Sequence, residues 1–161
     1  MIKGFAQTHA GSKIEYGAVI DSRGYATGYY EGSSGSVSFP DRATENRHVI
    51  HNHPRGGWAN FSGQDLVMMA RSKSTGITAV SQNSKARSNA SEAYKRAYKN
   101  RRAGTYKITK THRFKPKEFE EAVRRVQVHD ESYDLDLHKW LKANQRTYGY
   151  KYSYSKAKNK V

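Results

Sequence analysis

Hydrophobic and polar positions along this chain fall into two rhythms. Ile14 to Ile20 is a short apolar run that predicts a strand. Asp21-Ser22-Arg23-Gly24 has turn chemistry, and Tyr25 to Tyr30 returns as a second strand, which makes a hairpin. Gly32 to Gly35 reads as a connector. Ser36 to Phe39 reads as a third short strand, stopped by Pro40. His48 to His51 and Ile77 to Val80 are further β-rich runs. Between them the period changes: Leu66, Met69 and Ala70 recur at helical spacing behind Ser62-Gly63-Gln64-Asp65, and Gly76 closes the segment. Lys85 to Arg102 has helical character through Ala90, Ala93, Tyr94 and Ala97. Gly104 breaks it, and Thr105 to Lys110 alternates as a strand. Pro116 suits the start of a helix with Phe119, Ala122, Val123 and Val126 on one stripe. Another helix includes Leu135, Leu137, Trp140 and Leu141. The alternating tyrosines from Tyr148 to Tyr154 fit either an edge strand or a sticky tail.

Composition narrows the classes available. At 161 residues and 35% hydrophobic content, the chain is expected to bury one modest core. It has no Cys, so disulfides and thiolate metal sites are excluded, and a transition metal would have to use His, Asp and Glu. No apolar run at the start resembles a secretory leader, and none approaches the length that spans a bilayer. A cytoplasmic protein with no membrane partner is the expectation. The net charge of +15 is uneven. Residues 85–115 carry many Lys and Arg against Glu92 alone, and no acid follows Asp136. Such asymmetry suits a nucleic acid or an acidic protein, with Arg96, Lys99, Arg101 and Arg102 as candidate contacts; a solvated surface is the plain alternative.

One constellation carries chemistry. His51 and His53 lie one residue apart in a strand-like run, so alternation puts both imidazoles on one side of the chain. Asp65 follows on the first turn of the predicted helix, with Ser62 three residues before it. Two imidazoles and a carboxylate suit Zn²⁺ and leave a coordination position open, as hydrolytic zinc requires. A carboxylate must then move protons; Glu15 is the first candidate and Glu31, at the end of the second strand, the alternative. The other histidines, His9, His48, His112 and His129, have no partner at ligand spacing. Asp134 and His138 read as an ion-pair face on a helix. A metal-dependent nuclease would want more carboxylates near the histidines.

His51-Asn52-His53-Pro54 followed by Ser62-Gly63-Gln64-Asp65 resembles the signature of the JAMM/MPN+ (JAB) zinc metalloproteases, His-x-His-Pro and Ser-x-x-Asp with a Glu on an earlier strand. The order of elements over about residues 12–82 is similar too, closest in look to RadC-type and stand-alone or phage-associated prokaryotic domains. The resemblance implies an α/β (α+β) JAB/MPN-like, cytidine-deaminase-like sandwich: a central mixed β-sheet flanked by helices. Residues 1–115 would form it, 116–147 a helical extension packed on it, and 148–161 a basic Tyr/Lys-rich tail. It implies one Zn²⁺ per chain on His51, His53 and Asp65, Glu15 as general base, and Ser62 as hydrogen-bond donor to an oxyanion. The expected activity is hydrolysis of a peptide or isopeptide amide, with a nucleic-acid-associated protein on the same fold as the alternative. Trp58, beside the site, would line the substrate groove or anchor its loop. One departure stands out: eleven residues separate His53 from Asp65, one more than the family's usual interval, and Gly56-Gly57-Trp58 is where the extra residue would be absorbed.

Overall fold

A computed structural model describes residues 2–84 and 88–158. It is a mixed α/β structure in which helices flank one six-stranded sheet. The elements in chain order begin with α1 (Ile2–His9), β1 (Tyr16–Ile20), β2 (Ala26–Glu31), α2 (Asp41–Thr44), β3 (His48–Asn52) and α3 (Gly63–Arg71). There follow β4 (Gly76–Val80), α4 (Glu92–Lys99), β5 (Gly104–Lys110), α5 (Pro116–Arg125), α6 (Tyr133–Ala143), α7 (Gln145–Tyr148) and β6 (Tyr150–Lys156). The strand order is β2-β1-β3-β4-β5-β6. Only β3 and β4 run parallel, and α3 is the crossover between them.

The two faces of the sheet bury different residues. Val49, Ile77, Ala79, Tyr106 and Ile108 pack under α3, α5 and α6 through Leu66, Met69, Phe119, Leu137 and Leu141. Ala18, Ile20, Ile50 and Val80 turn the other way, toward Phe5 of α1. Alternation along each strand separates the two sets. Helix α1 lies where the hydropathy pattern announces nothing. Gly76 opens β4 instead of closing α3, because a Cβ there would collide with the carbonyl of Ile108 on β5.

Two further expectations are corrected, and one left open between an edge strand and a tail is decided. Ser36–Phe39 forms no strand; Phe39 crosses β1 at Gly17, where any Cβ would meet its ring, and packs edge-on against Tyr30. The basic helix is only α4, because Ser91 caps it by accepting the N–H of Tyr94. Lys85 and Arg87 lie outside the described residues. Within the segment expected as a tail, residues 150–156 are the edge strand β6. Tyr150, Tyr152 and Tyr154 turn onto the helix-covered face, where their hydroxyls reach the Leu141 carbonyl (2.6 Å), His138 Nδ1 (2.7 Å) and the Ala103 carbonyl (2.9 Å). Phe119, Leu137, Leu141 and Tyr150 share one core with Val49 and Ile77, so that core continues through residues 116–150. No helix among the described residues is long and apolar enough to cross a membrane.

Candidate metal centre

The site begins with β3. His51 lies within the strand and His53 just past its end, and alternation directs both rings to the α3 face. There they meet the first turn of α3. Ser62 is its N-cap: the Ser62 hydroxyl oxygen accepts the Asp65 N–H (3.0 Å), and Asp65 Oδ2 accepts the Ser62 N–H (2.9 Å). This capping box fixes the Asp65 carboxylate at the end of the helix nearest β3.

The donor atoms converge. His51 Nε2 lies 2.9 Å from His53 Nε2 and 3.1 Å from Asp65 Oδ2, and His53 Nε2 lies 3.0 Å from the same oxygen. The three residues could hold a metal ion. Each ring's second nitrogen bears on that reading. His53 Nδ1 is 3.2 Å from the Ala59 carbonyl. A carbonyl only accepts, so Nδ1 carries the proton and Nε2 presents a lone pair to the cluster. His51 Nδ1 is buried with no hydrogen-bond partner among the described residues. With Nε2 turned into a pair of donor atoms at contact distance, this ring has no protonation state that satisfies both nitrogens through protein partners alone.

The electrostatics follow from burial and crowding. Burial alone would push the Asp65 carboxyl up, but the two imidazoles beside it hold it well below the usual carboxylate range. For His53 burial works downward, yet contact with Asp65 outweighs it and the ring sits above its ordinary value. Glu15 moves the other way: burial raises it, and the histidines only partly offset this.

Glu15 stands two residues before Gly17, the antiparallel partner of His51, so it belongs to the same face. With His53, Ser62, Asn60 and Trp58 it lines a cleft of about 280 Å³. Glu31 is exposed at the end of β2 and does not line that cleft. Trp58 does two things: it stacks on Tyr133 (centroids 5.4 Å apart, planes 17° from parallel) and it forms a wall of the cleft. The long loop turns at Pro54–Gly57, with Gly56 at a positive φ of 92°. The turn is held from outside, because Gly56 O accepts from the Tyr94 hydroxyl and Gly57 O from Arg101 Nε (2.9 Å).

The basic candidates separate in the same region. Besides Gly57, Arg101 binds the carbonyl of Gln82 (2.7 Å). Arg102 lies over the Tyr154 ring at 4.9 Å, and Arg96 reaches Glu131 at 3.6 Å. Lys99 is exposed. Three of the four groups, Arg96, Arg101 and Arg102, therefore have partners within the chain, the first through an exposed ion pair.

Pattern reading missed two residues. Asn52, between the two histidines, faces away from them and is fully buried. Its Oδ1 accepts the Tyr16 N–H (2.6 Å) and its Nδ2 donates to the Ile14 carbonyl (2.9 Å), so it clasps the backbone on both sides of Glu15. A buried amide needs such partners, which is the signal a strand-facing Asn offers. Asp134 does not pair with His138 on a surface. It is buried beneath residues 59–60, and His138 turns to Tyr152. No protein family, curated protein or solved structure matches this chain.

Proposed function

We propose that this protein is a zinc-dependent hydrolase of the JAMM type that cleaves an amide bond in a protein or peptide, on a JAB/MPN-like sandwich. The observation that carries the reading is the convergence of His51 Nε2, His53 Nε2 and Asp65 Oδ2 within 3.1 Å of one another, with His53 lining a cleft together with Glu15 and Ser62. Two imidazoles and one carboxylate are a three-ligand set for zinc. Zinc bound there would supply Lewis acidity and a water acidic enough to lose its proton near neutrality.

The chain's own groups do the rest. His53 is held as the Nδ1–H tautomer by the Ala59 carbonyl, so its Nε2 is available as a ligand. Glu15 is the proton carrier: its raised pKa keeps the carboxylate able to take a proton and later return it to a leaving amine. The Ser62 oxygen accepts from the Asp65 N–H, which leaves its own proton free to donate toward a carbonyl oxygen in the cleft. Trp58 gives the cleft an apolar wall that favours an extended peptide over solvent.

The test pairs metal content with turnover. Purified protein is expected to carry about one zinc per chain by plasma emission. It should also cleave members of a peptide and lysine-isopeptide mixture followed by mass spectrometry. Glu15→Gln should keep the zinc and lose at least about a hundredfold in cleavage rate. Protein purified without chelator that holds no zinc and takes none up would overturn the reading. Unchanged cleavage in Glu15→Gln would remove Glu15 from the proton-carrying role.

A further inference from the structure

Helix α6 begins under the metal loop, and its second residue is a buried carboxylate with an unusual set of partners. Asp134 is 1% exposed. Its Oδ1 accepts the N–H of Ala59 (3.1 Å) and of Asn60 (3.0 Å), while Oδ2 accepts the N–H of Arg102 (2.8 Å). The contact is returned, because Asn60 Nδ2 donates to the Asp134 carbonyl (3.1 Å). Next to it, the Tyr133 hydroxyl donates to the Phe61 carbonyl (2.8 Å) and the Tyr133 ring stacks on Trp58. The loop from Trp58 to Phe61 is thus held at four consecutive residues by two residues of α6.

One of those contacts reaches the metal ligands through a single rigid unit. The Asn60 N–H and the Ala59 C=O belong to the same peptide group, which is planar and trans, so they point in opposite directions. An Asn60 N–H fixed on Asp134 therefore fixes the direction of the Ala59 carbonyl. That carbonyl is the acceptor for His53 Nδ1. The bond at the Asp134 end is charge-assisted, and it polarises the peptide so that its carbonyl is the better acceptor at the other end. A neutral acceptor at this position could still receive the Asn60 N–H, but more weakly and without the added polarisation.

We propose that Asp134 is a positioning residue for the metal centre, acting on His53 through the Asn60–Ala59 peptide. The role rests on the metal reading given above. Asp134 holds the Ala59 carbonyl where it selects the Nδ1–H tautomer of His53, and that tautomer aims the Nε2 lone pair at the site beside Asp65. The anchor is distant in sequence from every ligand.

The experiment compares Asp134→Asn with Tyr150→Phe, which removes another buried hydrogen bond, from Tyr150 to the Leu141 carbonyl, with no link to the site. Asp134→Asn keeps the shape but loses the charge, and its amide nitrogen faces an N–H it cannot accept from. Zinc affinity is measured against a competing chelator, and the His53 tautomer in zinc-free protein by long-range nitrogen–proton correlation. The expected result is a loss of zinc affinity of about tenfold to a hundredfold in Asp134→Asn, as for other groups that orient a ligating histidine. At a pH high enough that the ring is neutral, His53 should be a single Nδ1–H tautomer in the unaltered protein and a mixture in the variant. Tyr150→Phe should lose thermal stability yet hold zinc as the unaltered protein does. Equal zinc affinity in Asp134→Asn, or an equal loss in Tyr150→Phe, overturns the role. Should Asp134→Asn not fold, the unaltered protein still decides: a His53 found as the Nε2–H tautomer overturns it. Failure of the unaltered protein to bind zinc would count against the metal reading itself and is seen before any variant is made.

Discussion

Strand β3 carries histidines on both of its faces, and they differ in everything except residue type. On the α3 face, His51 and His53 bring their Nε2 atoms to 2.9 Å of each other and to one oxygen of Asp65. On the α1 face, His48 has one hydroxyl, Thr78 Oγ1, at 2.7 Å from its Nε2, and no carboxylate partner among the described residues. Burial first, and the positive charge of Lys107 second, drive the His48 pKa down to about 4. His53 is more deeply buried, yet Asp65 carries it the other way. Burial is therefore not what makes a ligand. What separates the faces is the helix behind them: α3 delivers a carboxylate through its capping box, whereas α1 delivers Phe5.

The largest effect follows from moving that boundary. His51→Gln or His53→Gln should reduce zinc from about one per chain to under about a tenth, since two remaining ligands form no stable site. His48→Gln should leave it unchanged, because a Gln amide can still meet the Thr78 hydroxyl and the ring touches no ligand atom. Zinc analysis of the three purified variants makes the comparison, and zinc lost from His48→Gln would erase the distinction between the faces.

Asn52 sharpens the comparison, because it lies on the His48 face and yet serves the His51 face. Its two hydrogen bonds end on the backbone of Ile14 and Tyr16, one residue either side of Glu15. Asn52→Leu leaves a partly buried N–H and a partly buried carbonyl without their side-chain partner, which should cost about 1–3 kcal/mol of stability. Zinc content should hold while cleavage falls, since the ligands keep their places and Glu15 loses its clasp. Urea unfolding alongside zinc analysis and cleavage assays reads all three, and a variant that cleaves at the original rate would show that Glu15 needs no such support.

How much of this was legible in sequence depends on how far apart the cooperating residues lie. His51 and His53 share a face by strand alternation, and Ser62 and Asp65 share a helix turn by the capping box. Both are local rules, and both hold. Leu66, Met69 and Ala70 are buried for the same reason. Asp134 obeys a local rule that points elsewhere: a carboxylate four residues before His138 reads as half of an ion-pair face on a helix. Only the packing of α6 beneath residues 58–61 makes it a partner of the metal loop. Val37 and Phe39 alternate like a strand, but Gly17 opens a crossing over β1 that no local pattern encodes. The Tyr148–Tyr154 alternation stayed open between two fates until β5 supplied the neighbouring strand.

The smallest effect is a matter of pH and isolates His48. Unfolded, the ring titrates near 6.5; folded, it titrates at about 4, because burial disfavours its charged form. Between those values the unfolded chain binds a proton that the folded chain refuses. The contribution to stability is therefore whole above about pH 6.5 and declines as the solution becomes more acid, until the folded ring itself protonates near 4. From about pH 7 to about pH 5.5 the decline amounts to about 1 kcal/mol. His48→Gln removes the titration, so the difference in unfolding free energy between the two proteins should shift in favour of the variant by that amount over the same interval. The subtraction matters, because the shifted groups of the other face, His53, Glu15 and Asp65, are present in both proteins and cancel. Urea unfolding of both at the two pH values, zinc-free, measures it. A pH-independent difference would mean that the α1 face tolerates a charged imidazole, and the contrast between the two faces of β3 would then rest on the Asp65 carboxylate alone.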